Sequence, residues 1–260
     1  MKPLLIIPAR GGSTRVPNKN LALINGNPLI YYSIKAAQIV QDIDILVSTD
    51  SQEIAKVAES LGVKVPFLRP SNLSNANSTS ISVIINALHY LIENKYELPE
   101  ILLFKPPTNP LLAPASIKKM LDMKEKYSEI DSILSIYQPR LSALNFVSYT
   151  PKSKNIKTQI YDIDGVRLYD IERSQDRPKS YASSPACKVT QTKFFIDKYI
   201  DKFHCPDECV GPTFNPDNAC GYLINELEAF DIDNLEDLDM VRLIINNSEK
   251  FLDRNLFNHI

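Results

Sequence analysis

The sequence lacks the features that mark several large classes of protein. Its 260 residues carry a formal net charge of -2 and no long basic run. That argues against a nucleic-acid partner, because phosphate-backbone binding leaves a basic footprint. Cysteine is sparse, with only Cys187, Cys205, Cys209 and Cys220 present. Such usage fits a reducing compartment better than a disulfide framework. The apolar opening, Met1 to Pro8, is far too short for a signal peptide or a membrane span. The expectation is a cytoplasmic protein with no membrane partner. Internal repeats and low-complexity tracts are absent too. Two phosphate-binding signatures are also missing: there is no G-x-x-x-x-G-K-[ST] of a P-loop enzyme and no G-x-G-x-x-G of a dinucleotide fold.

What is present is a chain rich enough in apolar residues, 44% hydrophobic against 23% charged, to bury a core as one domain spanning 1–260. Short apolar runs alternate with amphipathic stretches. Leu4 to Pro8, Ile43 to Ser48, Val63 to Phe67 and Ile101 to Phe104 read as strands. A helix is expected from about Pro28, with Leu29, Ile30, Ser33, Ile34, Ala37 and Val40 on one face. A second opens at Thr49-Asp50-Ser51, carries Ile54, Val57, Ala58 and Leu61 inward, and stops at Gly62. A third packs Val83, Ile84, Ala87, Leu88 and Leu91. This rhythm predicts an α/β fold, a mostly parallel sheet covered by helices, with the active site beyond the carboxyl ends of the strands. The rhythm breaks after Ile136. Residues 138–187, with β-like pieces at Leu144 to Tyr149 and Gln159 to Asp162, read as an inserted arm, a lid or a dimerisation element. Regular structure is expected again near Thr190. The last helix should run from about Asn234 to Asn247 and bury Leu238, Val241, Leu243, Ile244 and Ile245.

The most informative stretch follows the first strand: Pro8-Ala9-Arg10-Gly11-Gly12-Ser13-Thr14-Arg15-Val16-Pro17-Asn18-Lys19-Asn20. Adjacent glycines let backbone N–H groups approach an anion, and Arg10, Arg15 and Lys19 neutralise a polyphosphate. Near the other end, Asp231 and Asp233 stand one residue apart just before the last helix. Two readings stay open for them. Hard oxygen ligands on one segment suit Mg²⁺; an acidic cluster also suits a helix N-terminus.

These motifs resemble the acylneuraminate cytidylyltransferases (CMP-sialic acid synthetases). The opening Ile7-Pro8-Ala9-Arg10-Gly11-Gly12-Ser13 with Lys19-Asn20 carries the likeness. So do Val47-Ser48-Thr49-Asp50-Ser51, Val65 to Pro70, Pro107-Thr108-Asn109-Pro110-Leu111, Gln175 to Lys179, and the closing Asp231-Ile232-Asp233-Asn234-Leu235-Glu236-Asp237-Leu238. The resemblance implies a three-layer, Rossmann-like nucleotidyltransferase fold with a small protruding arm that forms a homodimer. It also implies transfer of CMP from CTP to an acidic sugar. By the same match the opening loop binds the CTP triphosphate, with Arg10, Ser13 and Lys19 holding phosphates and Gly11, Gly12 and Thr14 beside them. Asn20 and Ser78 face the nucleotide, Arg69 reads the cytosine, and Asp231 and Asp233 bind Mg²⁺.

The chain departs from the family in places. Thr14-Arg15 stands where a lysine is usual, and the string Ser13 to Lys19 is closer to the loop of CMP-Kdo synthetases. Arg15 then substitutes as a phosphate cation. Two aspartates expected near Ala76 and Ser82 are gone. A glutamine and an arginine of the middle motif have become Pro106 and Leu112, preceded by Lys105. Ser184-Pro185-Ala186 replaces Asn-Gly-Ala. These changes cluster at the acceptor end, which leaves room for a Kdo-like or non-sugar acid, or for a nucleotide-binding homologue without turnover. No histidine offers itself as a general base: His89 is on a helix, His204 in a loop and His259 at the tail. The Cys205, Cys209 and Cys220 group has one tight pair where a zinc site usually has two, so ordinary thiols are expected.

Overall fold

Strands form where the apolar runs predict them, and six of them make the sheet that carries everything else. The computed structural model describes residues 2–75, 77–140, 173, 179–200 and 209–247, and the backbone alone at 147–150, 155–158, 162–163 and 166–167. In chain order the elements are β1 (Leu4–Pro8), β2 (Leu23–Ile24), β3 (Asn27–Pro28), α1 (Leu29–Ile39), β4 (Asp44–Ser48), α2 (Gln52–Ser60), α3 (Ser80–Glu93), β5 (Ile101–Phe104), α4 (Pro114–Lys126) and β6 (Ser132–Tyr137). They continue with β7 (Val147–Thr150), β8 (Asn155–Thr158), β9 (Asp162–Ile163), β10 (Val166–Arg167), β11 (Ala182–Gln191), α5 (Thr192–Phe195), β12 (Ala219–Leu223) and α6 (Leu235–Asn246).

The central sheet has the order β12-β6-β11-β5-β1-β4. β1 runs parallel to β4 and β5, β12 runs parallel to β6, and only β11 is antiparallel to its neighbours. The mostly parallel sheet is therefore as expected. Leu5, Ile7, Val47, Leu103 and Ile133 pack on one face with α1, α2 and α4. Leu4, Ile6, Leu46, Leu102 and Phe104 pack on the other with α3 and the α5 region. The result is three layers, the arrangement that buries both faces of a parallel sheet.

The helix assignments hold. Ser51 caps α2 by accepting from the Ile54 N–H, and Gly62 follows its end at φ +80°, a conformation glycine adopts without strain. On α6 Leu238, Val241, Ile244 and Ile245 are buried, but Leu243 is exposed, contrary to expectation. Val63 to Phe67 does not form a strand: only Thr49 and Leu68 make an isolated parallel bridge beside β4. Pro66 has no N–H to give to a ladder there. β11 already begins at Ala182, inside the stretch 138–187 read as an arm, and a bulge between Ser183 and Lys188 breaks its register with β6. Of the β-like pieces, β7 includes Val147 to Tyr149 and β9 begins at Asp162. Residues 144–146 and 159–161 lie outside the described residues.

Candidate active site at the carboxyl end of the sheet

After β1 the chain goes to β4 on one side, and β5 later fills the other, so the loops after β1 and β5 part at a topological switch point, where open α/β sheets bind ligands. The geometry of the first loop follows from its anchors. The Gly11 N–H donates to Asp50 Oδ1 at 2.8 Å. A Cβ on Gly11 would lie 3.1 Å from Ser51 Cβ, whereas one on Gly12 would meet nothing within 4 Å. Gly11 thus lets the loop lie against the turn after β4, and Gly12 leaves backbone open. Val16 is buried with Ile24, Leu29, Ile232 and Leu238 in a separate apolar cluster under α6. Buried Asn20 donates from Nδ2 to the Arg10 carbonyl at 2.9 Å, which ties the two ends of the loop together.

Arg10, Ser13, Thr14, Arg15, Lys19 and Asn20 consequently line one cleft of about 320 Å³. Its second wall holds Arg69, Leu73, Ser78, Thr79, Ser80 and Val83, and its third Pro106, Pro107 and Thr108; Asp233 completes it. Arg69 is positioned by its own N–H, which donates to the Thr49 carbonyl at 2.7 Å. Its Nε donates to Ser74 Oγ at 3.2 Å. Burial lowers the Arg69 pKa, Asp50 opposes that, and Arg10 adds to it. Arg10 Nη1 donates to the Asn75 carbonyl at 2.6 Å, and Ser78 Oγ to Asn72 O at 3.3 Å. Thr79 caps α3 by accepting from the Ser82 N–H, so the positive end of a 14-residue helix is aimed at the cleft. Ser82, where an aspartate was expected, is buried and donates to Thr79 O at 2.7 Å.

The acidic segment is placed by its middle residue. Ile232 is fully buried in the same cluster as Val16, and its N–H donates to the Thr108 carbonyl at 2.9 Å. The cap of α6 is made by others: Asn234 Oδ1 accepts from the Asp237 N–H, and Asp237 Oδ2 accepts from the N–H groups of Asp233 and Asn234. The Asp231 and Asp233 carboxylates make none of these cap hydrogen bonds, while Asp233, with Glu236 and Asp237, stands at the positive end of α6. Asp233 Oδ1 lies 2.9 Å from Arg15 Nη2, and Lys19 Nζ donates to the Ile232 carbonyl at 2.5 Å. Burial raises the Asp231 pKa; a hydrogen bond from Thr108 opposes this, Asp233 reinforces it and Lys19 opposes it. Burial lowers Lys19, while Asp231 and Asp233 pull it back up. Asp231 Oδ1 is buried without a hydrogen-bond partner. An orphaned carboxylate oxygen, next to a second carboxylate that lines a cationic cleft, fits a hard divalent cation that also takes phosphate oxygens.

Ser13, Thr14, Asn20, Arg69, Ser78 and the three loop cations are therefore brought together with Asp233, while Gly11, Gly12 and Asp231 do not line the cleft. Sequence reasoning missed Asp50 as loop anchor, and Thr79, Ser80 and the Pro106-Pro107-Thr108 wall as lining of the cleft. The Ser-Thr-Ser run at 78–80 was the available signal for the helix start. Leu112 is buried in the core rather than in the cleft. Residues 175–178, His204, Cys205 and His259 lie outside the described residues. Among the described ones no group of three or more His, Cys, Asp or Glu gathers for a metal. A larger groove of about 620 Å³ lies at the opposite end of the strands, between Leu4, Asp44 and Tyr96, with Lys64 as its one lining cation.

Comparison with known proteins agrees with this geometry. The profile of the family described as "Cytidylyltransferase" matches residues 4–251. The chain is similar to the pseudaminic acid cytidylyltransferase of Campylobacter jejuni subsp. jejuni, 29% identical over 254 residues, covering 96% of this chain and all of that one. It is 39% identical over 124 residues to the CMP-N,N'-diacetyllegionaminic acid synthase of Legionella pneumophila subsp. pneumophila, covering 47% of this chain and 53% of that protein. Among solved structures, a CMP:2-keto-3-deoxy-manno-octonic acid synthetase complexed with CTP shares the fold with a TM-score of 0.67, at 14% identity, covering 95% of this chain and 100% of that one.

Proposed function

The chain belongs to the cytidylyltransferase family, and from that membership we propose that it transfers CMP from CTP to a nonulosonic acid, with release of pyrophosphate. The observation that carries the reading is one cleft at the carboxyl end of the sheet lined by Arg10, Arg15, Lys19 and Arg69 with Asp233 at its edge. Pseudaminic and diacetyllegionaminic acids, named for the relatives, supply the acceptor class.

In the reaction an acceptor hydroxyl oxygen forms a bond to the α-phosphorus of CTP as the bond from that phosphorus to the bridging oxygen of the β-phosphate breaks. Charge grows on the phosphate oxygens and on the leaving pyrophosphate, so catalysis is mainly positioning and neutralisation. Arg10, Arg15 and Lys19 supply cations. The Gly11 N–H is taken by Asp50, so the open Gly12 backbone and the Ser13 and Thr14 hydroxyls supply donors. Asn20, Arg69 and Ser78 hold the nucleoside side. A Mg²⁺ held by Asp231 and Asp233 would supply further neutralisation and orientation of the phosphates. A homodimer formed through residues 138–187 and a cytoplasmic location beside the CTP pool complete the proposal; the family resemblance supports both.

The test is pyrophosphate release from CTP and Mg²⁺ across pseudaminate-, legionaminate- and N-acetylneuraminate-type acids, Kdo and several non-sugar acids, beside Asp231→Ala and Asp233→Ala. Turnover with one nonulosonic acid, lost in both variants, is the expected result. Turnover with Kdo or a non-sugar acid alone would reassign the acceptor. A folded protein that does not bind CTP by calorimetry would overturn the reading.

A further inference from the structure

Lys105 has no task in the reaction above, yet its ammonium is buried at a cost in lost hydration. It follows β5 directly and is fully buried. Its Nζ donates to Ser33 Oγ on α1 at 2.8 Å and to the Asn109 carbonyl at 3.1 Å. Among the described residues no carboxylate pairs with it. A well-packed apolar side chain would be cheaper at such a place, because a buried ammonium loses its hydration and here regains two neutral acceptors.

The hydrogen bonds lead from that ammonium to the acidic segment. Pro106, Pro107 and Thr108, between the two ends of the Lys105–Asn109 bond, form a wall of the cleft. Asn109 is itself fully buried. Its Nδ2 donates to the carbonyls of Phe230 at 3.0 Å and Ala229 at 3.3 Å, just ahead of Asp231. The Thr108 carbonyl receives the Ile232 N–H. By these bonds Thr108 and Asn109 hold Ala229 to Ile232 from one side, Lys19 reaches the Ile232 carbonyl from the loop after β1, and Lys105 fixes the turn on which Thr108 and Asn109 sit.

We propose that Lys105 is a positioning residue that, through the turn 106–109, sets the Asp231–Asp233 carboxylates against the phosphate cleft. The inference rests on the function proposed above for its consequence in catalysis, but not for its structural core. Groups that orient metal-holding side chains typically change metal affinity or activity by about 10- to 100-fold when removed.

The test uses Lys105→Met, which keeps the length and removes the donors, and Asn109→Ala, which breaks the next link if the first variant folds poorly. Hydrogen exchange read by mass spectrometry reports the strut without ligand. Mn²⁺ binding by calorimetry in the presence of CTP, CTP binding without divalent ion, and the kcat-against-KM split report its use. The expected result is exchange at 229–233 faster by about tenfold with β1 and β4 unchanged, Mn²⁺ affinity and kcat down by about tenfold or more, and CTP affinity without metal within about twofold. Unchanged exchange at 229–233 in both variants overturns the proposal. So does faster exchange with kcat and Mn²⁺ affinity intact. If exchange quickens but the wild type neither binds Mn²⁺ nor turns over, the strut stands and the proposed function falls.

Discussion

The same lysine makes a quantitative prediction about stability and pH. Burial pushes the Lys105 ammonium from an ordinary 10.5 down to about 8, with Cys187 opposing. Below pH 8 both the folded and unfolded chains carry the proton, so the full penalty is present. Between about 8 and 10.5 the unfolded chain binds more protons than the folded one, and stability contributed by this group rises with pH. The gap of roughly 2.5 units corresponds to about 3 kcal/mol. Cys187 acts in the opposite sense. Burial raises its thiol from 9.0 to about 12, so the unfolded chain loses that proton first and stability falls above pH 9. The comparison is therefore made between Cys187→Ala and Cys187→Ala with Lys105→Met, by urea unfolding at pH 7.5, 8.5, 9.5 and 10.5. The lysine-containing protein should gain about 3 kcal/mol on its partner across that range. A difference that stays flat, or that shrinks as pH rises, refutes the argument, because it means that the folded protein holds Lys105 at or above its ordinary value.

Four further substitutions have outcomes that the structure sets. Gly11→Ala, with its Cβ 3.1 Å from Ser51 Cβ, should cost about 1–3 kcal/mol in thermal or urea unfolding. Gly12→Ala, whose Cβ would meet nothing within 4 Å, should change stability by less than about 0.5 kcal/mol, and on the proposed function it should weaken CTP binding in calorimetry by hindering the backbone's approach to phosphate. Arg15→Gln removes a pair whose side chains are 66% and 52% exposed, so stability should move by no more than about 1 kcal/mol. Mn²⁺ binding without nucleotide should strengthen as Asp233 is released, while CTP binding weakens, and movement of both in one direction would refute the assignment. Glu228→Ala should cost about 3 kcal/mol without changing the KM for CTP, a loss visible as a fall of roughly 10 °C in Tm. The buried Glu228 carboxylate accepts from Ala113 N, Ser116 Oγ and Asn225 N at the start of α4.

The parts of the fold legible in the sequence are those whose signal is local. Leu4 to Pro8 and Ile101 to Phe104 are apolar runs that only a strand buried on both faces explains. The facing residues of α1 and α3 repeat with helical spacing. Val63 to Phe67 misled because β-propensity there competes with Lys64 and Pro66 at the edge of the sheet. β11 was hidden for a different reason: Ala182-Ser183-Ser184-Pro185 has neither an apolar run nor alternation, and its bulge is held by Ser135, whose Oγ donates to the carbonyls of Ser184 and Cys187. The site shows the same division. The loop cations and glycines were readable as a motif, while Asp50, Lys105 and Glu228 act on partners 39, 72 and 115 residues away, and no periodicity records such pairs.

The charges of the cleft can be ordered by what already holds them. The Arg10 guanidinium donates to a carbonyl, the Lys19 ammonium to another, and the Arg69 guanidinium to a hydroxyl. Each is thereby aimed without being neutralised, and for Lys19 and Arg69 burial makes the charge costly until an anion arrives. Neutral acceptors fix direction and leave the Coulomb interaction to the ligand, which is what preorganisation toward a polyphosphate requires. Arg15 differs, since Asp233 already pairs with it at the exposed rim. A rim pair is weak, so on the proposed function it would cost little for Arg15 to serve a phosphate and Asp233 a divalent cation. Asp231 needs no such exchange: its Oδ1 is buried and unpartnered, raised by burial and awaiting positive charge. On the proposed function, nucleotide and metal would each favour the other's site, because the Arg15–Asp233 pair holds one group meant for each.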